Sequence, residues 1–77
     1  GFKSYVQIGI FSMEANAKRA ADQLAKAGIA QSIRKEESQG KTFWRVLAGP
    51  AASAAERDAM TTKIKGLGYN DAYAVSN

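Results

Sequence analysis

The stretch "FWRVLAGP", Phe43 to Pro50, reads as a strand whose side chains alternate between two faces. Phe43, Arg45 and Leu47 share one face; Trp44, Val46 and Ala48 share the other. The second set is the apolar, core-facing one, and Trp44 is expected in the core or at its edge. The first set puts an aromatic ring beside a cation. A sheet face left to water accounts for the arginine, but water does not require phenylalanine next to it. Two readings of that face therefore stand at the outset, a solvated surface and a binding surface, with composition favouring the second.

Working outward, the same pattern recurs. Gly9 and Gly28 lie 19 positions apart, as do Gly49 and Gly68, so the two pairs fall in register at an offset of 40. The same offset aligns Val6 with Val46, Ala15 with Ala55, Leu24 with Ile64 and Ile29 with Tyr69. Each copy reads as a βαβ unit. The first has a strand "KSYVQIGI", with Val6 and Ile8 on one face and Tyr5, Gln7 and Gly9 on the other. A helix "MEANAKRAADQLAKAG" follows, with Ala17, Ala20, Ala21, Leu24 and Ala27 at helical spacing and Gly28 as its stop. A strand around "IAQSIRKE" and a hairpin turn at "ESQGK" complete the copy. The second copy runs through "TFWRVLA", a turn at "GPAAS", a helix from Ala54 to Leu67, the stop at Gly68 and a last strand near "DAYAV". Ser53 and Glu56 form an S-x-x-E capping box.

Two βαβ halves joined by a hairpin predict an α+β fold of βαββαβ order, ferredoxin- or RNP-like. Its four-stranded antiparallel sheet carries both helices on one face. Alanine-lined helices lie close to the sheet, with Met60, Ile64, Leu67 and Trp44 filling the remaining space. The uncovered face is then expected to display Gln7, Phe43 and Arg45, together with Tyr5, Leu47 and Tyr73. For Tyr73 parity leaves two readings: Ala72 and Ala74 inward put it outward, whereas its repeat mate Ile33 fits a core position.

Composition narrows the functional class. A chain of 77 residues is one domain, spanning residues 1–77, with little room for an enclosed active site. A first strand starting within a few residues of Gly1 points to a module cut from a longer protein. There is no cysteine for a disulfide or thiolate site and no histidine to serve as general base or zinc ligand. No cofactor or metal is expected, and no apolar run is long enough for direct membrane insertion. Glycoside hydrolysis needs two carboxyls flanking a bond. Here Glu36 and Glu37 are placed on a hairpin flank, Glu56 in a cap, and Glu14, Asp22 and Asp58 on the helices, with none expected on the sheet face. Ser12 and Ser53 read as helix starts, with no base available to activate either. A non-catalytic, monomeric binding module is the expectation.

"YVQIGIFS", "NA" at Asn16 and Ala17, "AG" at Ala27 and Gly28, and "FWRVLAGP" together resemble the SPOR domain, a small bacterial peptidoglycan-binding module. The resemblance covers Tyr5 to Val75. Its most specific parts are V-Q-x-G-x-F in the first strand and aromatic-aromatic-R-V-x-x-G-P in the third. It implies binding of glycan strands stripped of stem peptides, in the bacterial cell envelope (periplasm or cell wall) and at the division septum. The binding positions it implies fall on Gln7, Phe43, Arg45 and Tyr73, with Tyr5 added by its place on the same face. Ile10 departs from the pattern, since members often carry serine there, and some carry tryptophan in place of Phe43.

The chemistry of such a ligand fits these residue types. Sugar rings pack apolar C–H faces on aromatics, and their hydroxyl and acetamido groups need the planar donors and acceptors of glutamine and arginine. Removal of the stem peptide frees a lactyl carboxylate, and the formal net charge of +4 suits an anionic strand. Arg34, Lys35 and Lys41 near the hairpin add longer-range attraction or simple solvation. The principal rival is a single-stranded RNA-binding domain of the RNA-recognition-motif type, which has the same topology and also stacks bases on a bare sheet. "KTFWRVLA" does not match that motif's third-strand signature, and no nucleic-acid partner is expected.

Overall fold

The computed structural model describes residues 2–76. Strand β1 (Ser4–Phe11) leads to helix α1 (Glu14–Lys26) and strand β2 (Gln31–Ser38); strand β3 (Lys41–Ala51) leads to helix α2 (Ala54–Gly66) and strand β4 (Tyr73–Ser76). The order βαββαβ is the one the repeat predicts. In space the strands run β2-β3-β1-β4 with every neighbouring pair antiparallel. The two βαβ units are therefore interleaved, each helix crossing over the strand contributed by the other unit.

The repeat is also the core. The largest fully buried side chains are Val6, Leu24, Val46 and Ile64, which are two pairs of repeat mates. From α1, Ala17, Ala20, Ala21 and Leu24 are buried, so that three methyl-sized contacts and one leucine seat the helix against the sheet. Trp44, Ile33, Met60, Phe11, Ala27 and Tyr69 pack around the cluster as half-buried residues. Trp44 is thus at the core edge, as its parity requires. Leu67 is not a filler: it caps the end of α2 and is exposed. Both helices close alike, with Ile29 and Tyr69 donating backbone N–H to the carbonyls of Leu24 and Ile64.

The starts of the helices differ. Ser53 caps α2, its hydroxyl accepting from the Glu56 N–H at 3.1 Å, while the Glu56 carboxylate accepts at 3.4 Å from the Ala52 N–H, one residue short of a reciprocal box. Ser12 does not start α1. Met13 occupies the cap position, without a side-chain hydrogen bond.

Two irregularities set which side chains reach which face. Between Gln7 and Gly9 a bulge in β1 places Gly9 opposite Val46 and Ile10 opposite Arg45. Strict alternation puts Gly9 with Gln7; the extra residue reverses the parity, so Gly9 joins the helix side and Ile10 turns to the sheet face. A Cβ on Gly9 would stand 3.2 Å from the Phe11 ring, so the missing side chain is what lets Phe11 fold back toward the core. The second irregularity lies at Gly49 and Pro50, where β3 continues to Ala51 instead of ending in a turn. Gly49 has φ +117°, and a Cβ there would lie 3.1 Å from both the Ser4 carbonyl oxygen and the Ala51 nitrogen. Glycine is needed for the conformation and for the close approach of two backbones.

Ile64→Ala is expected to lower unfolding free energy by about 2–5 kcal/mol in urea titrations, as emptying a closed core does. Gly49→Ala meets backbone on two sides and is expected to cost on the order of 3 kcal/mol. Gly68→Ala faces open space at φ +106° and should lose only roughly 1–2 kcal/mol from the left-handed conformation. Equal losses for the two glycine variants would show that the β1–β3 pairing gives way at Gly49.

Candidate functional site

The helices cover one face of the sheet, and the register of the strands fixes what the other presents. Gln7 pairs with Leu47 on β3 and Tyr73 on β4. Arg45 pairs with Arg34 and Phe43 with Glu36 on β2. Directly opposed residues share a face, so Tyr5, Gln7, Arg34, Glu36, Phe43, Arg45, Leu47 and Tyr73 all belong to the uncovered side. The predicted residues Tyr5, Gln7, Phe43, Arg45 and Tyr73 are brought together. Tyr73 takes the outward reading and its repeat mate Ile33 the inward one, so the repeat breaks at this pair.

Four side chains, one from each strand, are tied in a row across the sheet. The Gln7 amide donates from Nε2 to Tyr73 Oη at 2.7 Å. Its Oε1 accepts from Arg45 Nη1. Arg45 donates from Nε at 3.1 Å and from Nη2 at 2.9 Å to Glu36 Oε1. Following the strand order, the row reads Glu36, Arg45, Gln7, Tyr73. A guanidinium carries five N–H bonds; three are engaged here (one each on Nε, Nη1 and Nη2), leaving one on Nη1 and one on Nη2 among the described residues.

Two expectations about this face are corrected. Gln7 and Leu47 were expected on display, yet they are 5% and 3% exposed. Both point to the uncovered side but lie beneath longer neighbours, Leu47 at the floor of a depression walled by Tyr5, Gln7, Arg34 and Arg45. The sheet carries a thin second layer there. The other correction concerns Glu36, placed on a hairpin flank from sequence. Strand β2 runs on to Ser38, and a two-residue turn with positive φ at Gln39 and Gly40 sets Ser38 opposite Lys41. Counting back two residues brings Glu36 level with Phe43. The carboxylate is therefore on the face, paired with Arg45.

Around the row the surface has two depressions. The larger, about 640 Å³, is lined by Ile10, Phe43, Glu36, Glu37, Ser38 and Arg45. The smaller, about 240 Å³, includes Tyr5, Gln7, Arg34, Leu47 and Val75 and again Glu36 and Arg45. The Arg45–Glu36 pair bounds both. Apolar walls from Ile10 and Phe43 on one side and from Tyr5, Leu47 and Val75 on the other alternate with amide, guanidinium, carboxylate and phenol groups. Such a surface suits a flat ligand with apolar ring faces and hydrogen-bonding rims. Ile10 and Glu36 are the residues that reading by alternation missed. The hairpin turn carried the signal for Glu36, whereas only the glycine at position 9 hinted at the bulge that exposes Ile10. Among the described residues no group of three or more His, Cys, Asp or Glu is placed to hold a metal ion, and no helix is long and apolar enough to cross a membrane.

Comparison with known proteins agrees with this geometry. No curated protein matches the sequence significantly. Among solved structures, the chain is similar to the SPOR domain of RlpA from Pseudomonas aeruginosa, at 21% identity over 96% of this chain and 99% of that one, with a TM-score of 0.88. It is also similar to the peptidoglycan binding domain of the B. subtilis cell wall lytic enzyme CwlC, at 26% identity over 97% of this chain and 90% of that one, with a TM-score of 0.70. The family model for the SPOR domain matches residues 2–76. The interleaved βαββαβ sheet and a family match over all of the described residues lead to one conclusion: the chain belongs to the SPOR domain family.

Proposed function

We propose that the uncovered sheet face binds peptidoglycan through its glycan strands, in particular strands that have lost their stem peptides. Through that contact it brings the protein carrying it to the division septum within the cell envelope. The carrying observation is the row Glu36–Arg45–Gln7–Tyr73 set between two apolar-walled depressions. Similarity to a domain described as peptidoglycan binding in CwlC supports the same reading.

Each part has a physical role in such a site. Phe43 and Ile10 offer a surface for the C–H face of a sugar ring, and Tyr5 and Tyr73 offer aromatic edges with hydroxyl tips. Arg45 presents its two remaining N–H bonds to an acetamido carbonyl, a hydroxyl or a lactyl carboxylate. Gln7, with its amide already shared between Tyr73 and Arg45, positions those two instead of reaching the ligand. A shallow face of this kind accepts a linear strand that extends past both edges. Stem peptides, branching from every second sugar, would hold the strand away from it. The role is binding, and no step of bond cleavage is assigned to the face.

Arg45→Ala is expected to weaken binding to sacculi about tenfold, the lower end for a hydrogen bond to a charged group. The chain should still fold, with a melting temperature lowered by several degrees, because the partly exposed Arg45–Glu36 pair contributes little but the buried Gln7 Oε1 loses its donor. Phe43→Ala should behave alike. Loss of folding in both would show that these side chains serve the core. Treating sacculi with an amidase that removes stem peptides is expected to raise retention of the domain, and later digestion of the bare strands to abolish it. Indifference to the amidase, combined with tight binding to single-stranded RNA and a steep log-linear salt dependence, would replace the glycan reading with the nucleic-acid one.

A further inference from the structure

We propose that Glu36 is the specificity-determining residue of this face: a built-in carboxylate that competes with ligand carboxylates for Arg45 and so holds down affinity for acidic glycan relative to neutral glycan. The inference rests on reading the face as a glycan site.

Glu36 Oε1 accepts from both Nε and Nη2, so it occupies one entire edge of the guanidinium, at 3.1 and 2.9 Å. A guanidinium offers a carboxylate two edges for paired hydrogen bonds, and Glu36 closes this one to a ligand carboxylate unless it is displaced. Its position is not accidental to one rotamer, because the Glu36 backbone is locked opposite Phe43 in the β2–β3 register. The pair borders both depressions, so a sugar lodged in either meets the Glu36 charge together with Arg45. Glu36 is also accessible, its side chain 42% exposed against 30% for Arg45, and an incoming group can reach the pair.

The consequence runs against the overall charge. A net charge of +4 draws anionic polymers toward the domain from a distance. At the point of contact, however, Arg45 is paired with the Glu36 carboxylate in hydrogen-bond contact, while Arg34, opposite Arg45 on β2, lines the smaller depression. A carboxylate-bearing sugar must share the guanidinium with Glu36 or displace it, and it faces like-charge repulsion in doing so. Neutral acetamido and hydroxyl groups use the two remaining N–H bonds without that conflict. Attraction is long-range and general, while discrimination is local and is set by one side chain.

Calorimetric titration of the whole chain with two probes tests this: a neutral oligomer of N-acetylglucosamine, and a bare-strand oligosaccharide of alternating N-acetylglucosamine and N-acetylmuramic acid with free lactyl carboxylates. Glu36→Gln keeps the shape and an acceptor oxygen but removes the charge. It is expected to bind the acidic probe about fivefold more tightly than wild type does, the scale of one partly exposed ion-pair interaction. Its affinity for the neutral probe should stay within about twofold. Glu36→Lys should shift the preference further the same way. Equal or weaker binding of the acidic probe by Glu36→Gln, or equal tightening toward both probes, overturns the inference while leaving the glycan reading intact. Wild-type chain that binds neither probe overturns the glycan reading and this inference with it.

Discussion

Gln7 lies in the middle of the sheet with its amide removed from water, and an amide so placed must find partners at both ends or cost the chain its desolvation. It does so sideways, along the sheet, donating to Tyr73 on one neighbouring strand and accepting from Arg45 on the other. That satisfaction fixes the two outer residues. Arg45 is held flat, with one edge toward Gln7 and another toward Glu36, and Tyr73, though on the short edge strand, has its hydroxyl pinned. The order of the surface thus follows from a buried polar group, while the flanking rings supply apolar contact. No buried side-chain nitrogen or oxygen among the described residues lacks a partner.

The same sheet has a different economy on its other side. There the two halves contribute matched residues, Val6 with Val46 and Leu24 with Ile64; buried alanines bring α1 near the sheet, whereas the alanines expected to do the same for α2 are exposed and Ile64 seats that helix. Symmetry of the pseudo-repeat is kept where close packing demands equivalent volumes. It is broken where the faces must differ: Tyr73 looks outward while Ile33 packs inward, and Gly9 makes room for a ring while Gly49 makes room for a neighbouring backbone. One pattern built the scaffold, and its departures built the face.

Much of this was legible in the sequence. Glycine spacing and the offset of 40 gave the element order, and alternation in "FWRVLAGP" placed Phe43 and Arg45 opposite Val46 and Ala48. The errors arose where alternation is locally suspended or where burial depends on neighbours. The bulge between Gln7 and Gly9 reversed parity and hid Ile10 from a count by twos. The extension of β3 through Pro50 hid behind a dipeptide that usually marks a turn. Parity tells which way Gln7 and Leu47 point but not that longer side chains lie over them, and it cannot pair Arg45 with Glu36 until the hairpin register is known.

The central claim is that ligand recognition belongs to the uncovered sheet face. Its most direct test is a nitrogen–proton correlation spectrum of the chain titrated with an oligosaccharide of bare peptidoglycan strand, following backbone amides and the Arg45 Nε–H together. The account predicts that shifts concentrate at Tyr5, Gln7, Ile10, Glu36, Phe43, Arg45 and Tyr73, with the Arg45 side-chain signal moving among the most. Amides of α1 and α2 should stay in place. Shifts confined to the helices, with the Arg45 Nε–H unmoved at saturation, would contradict it.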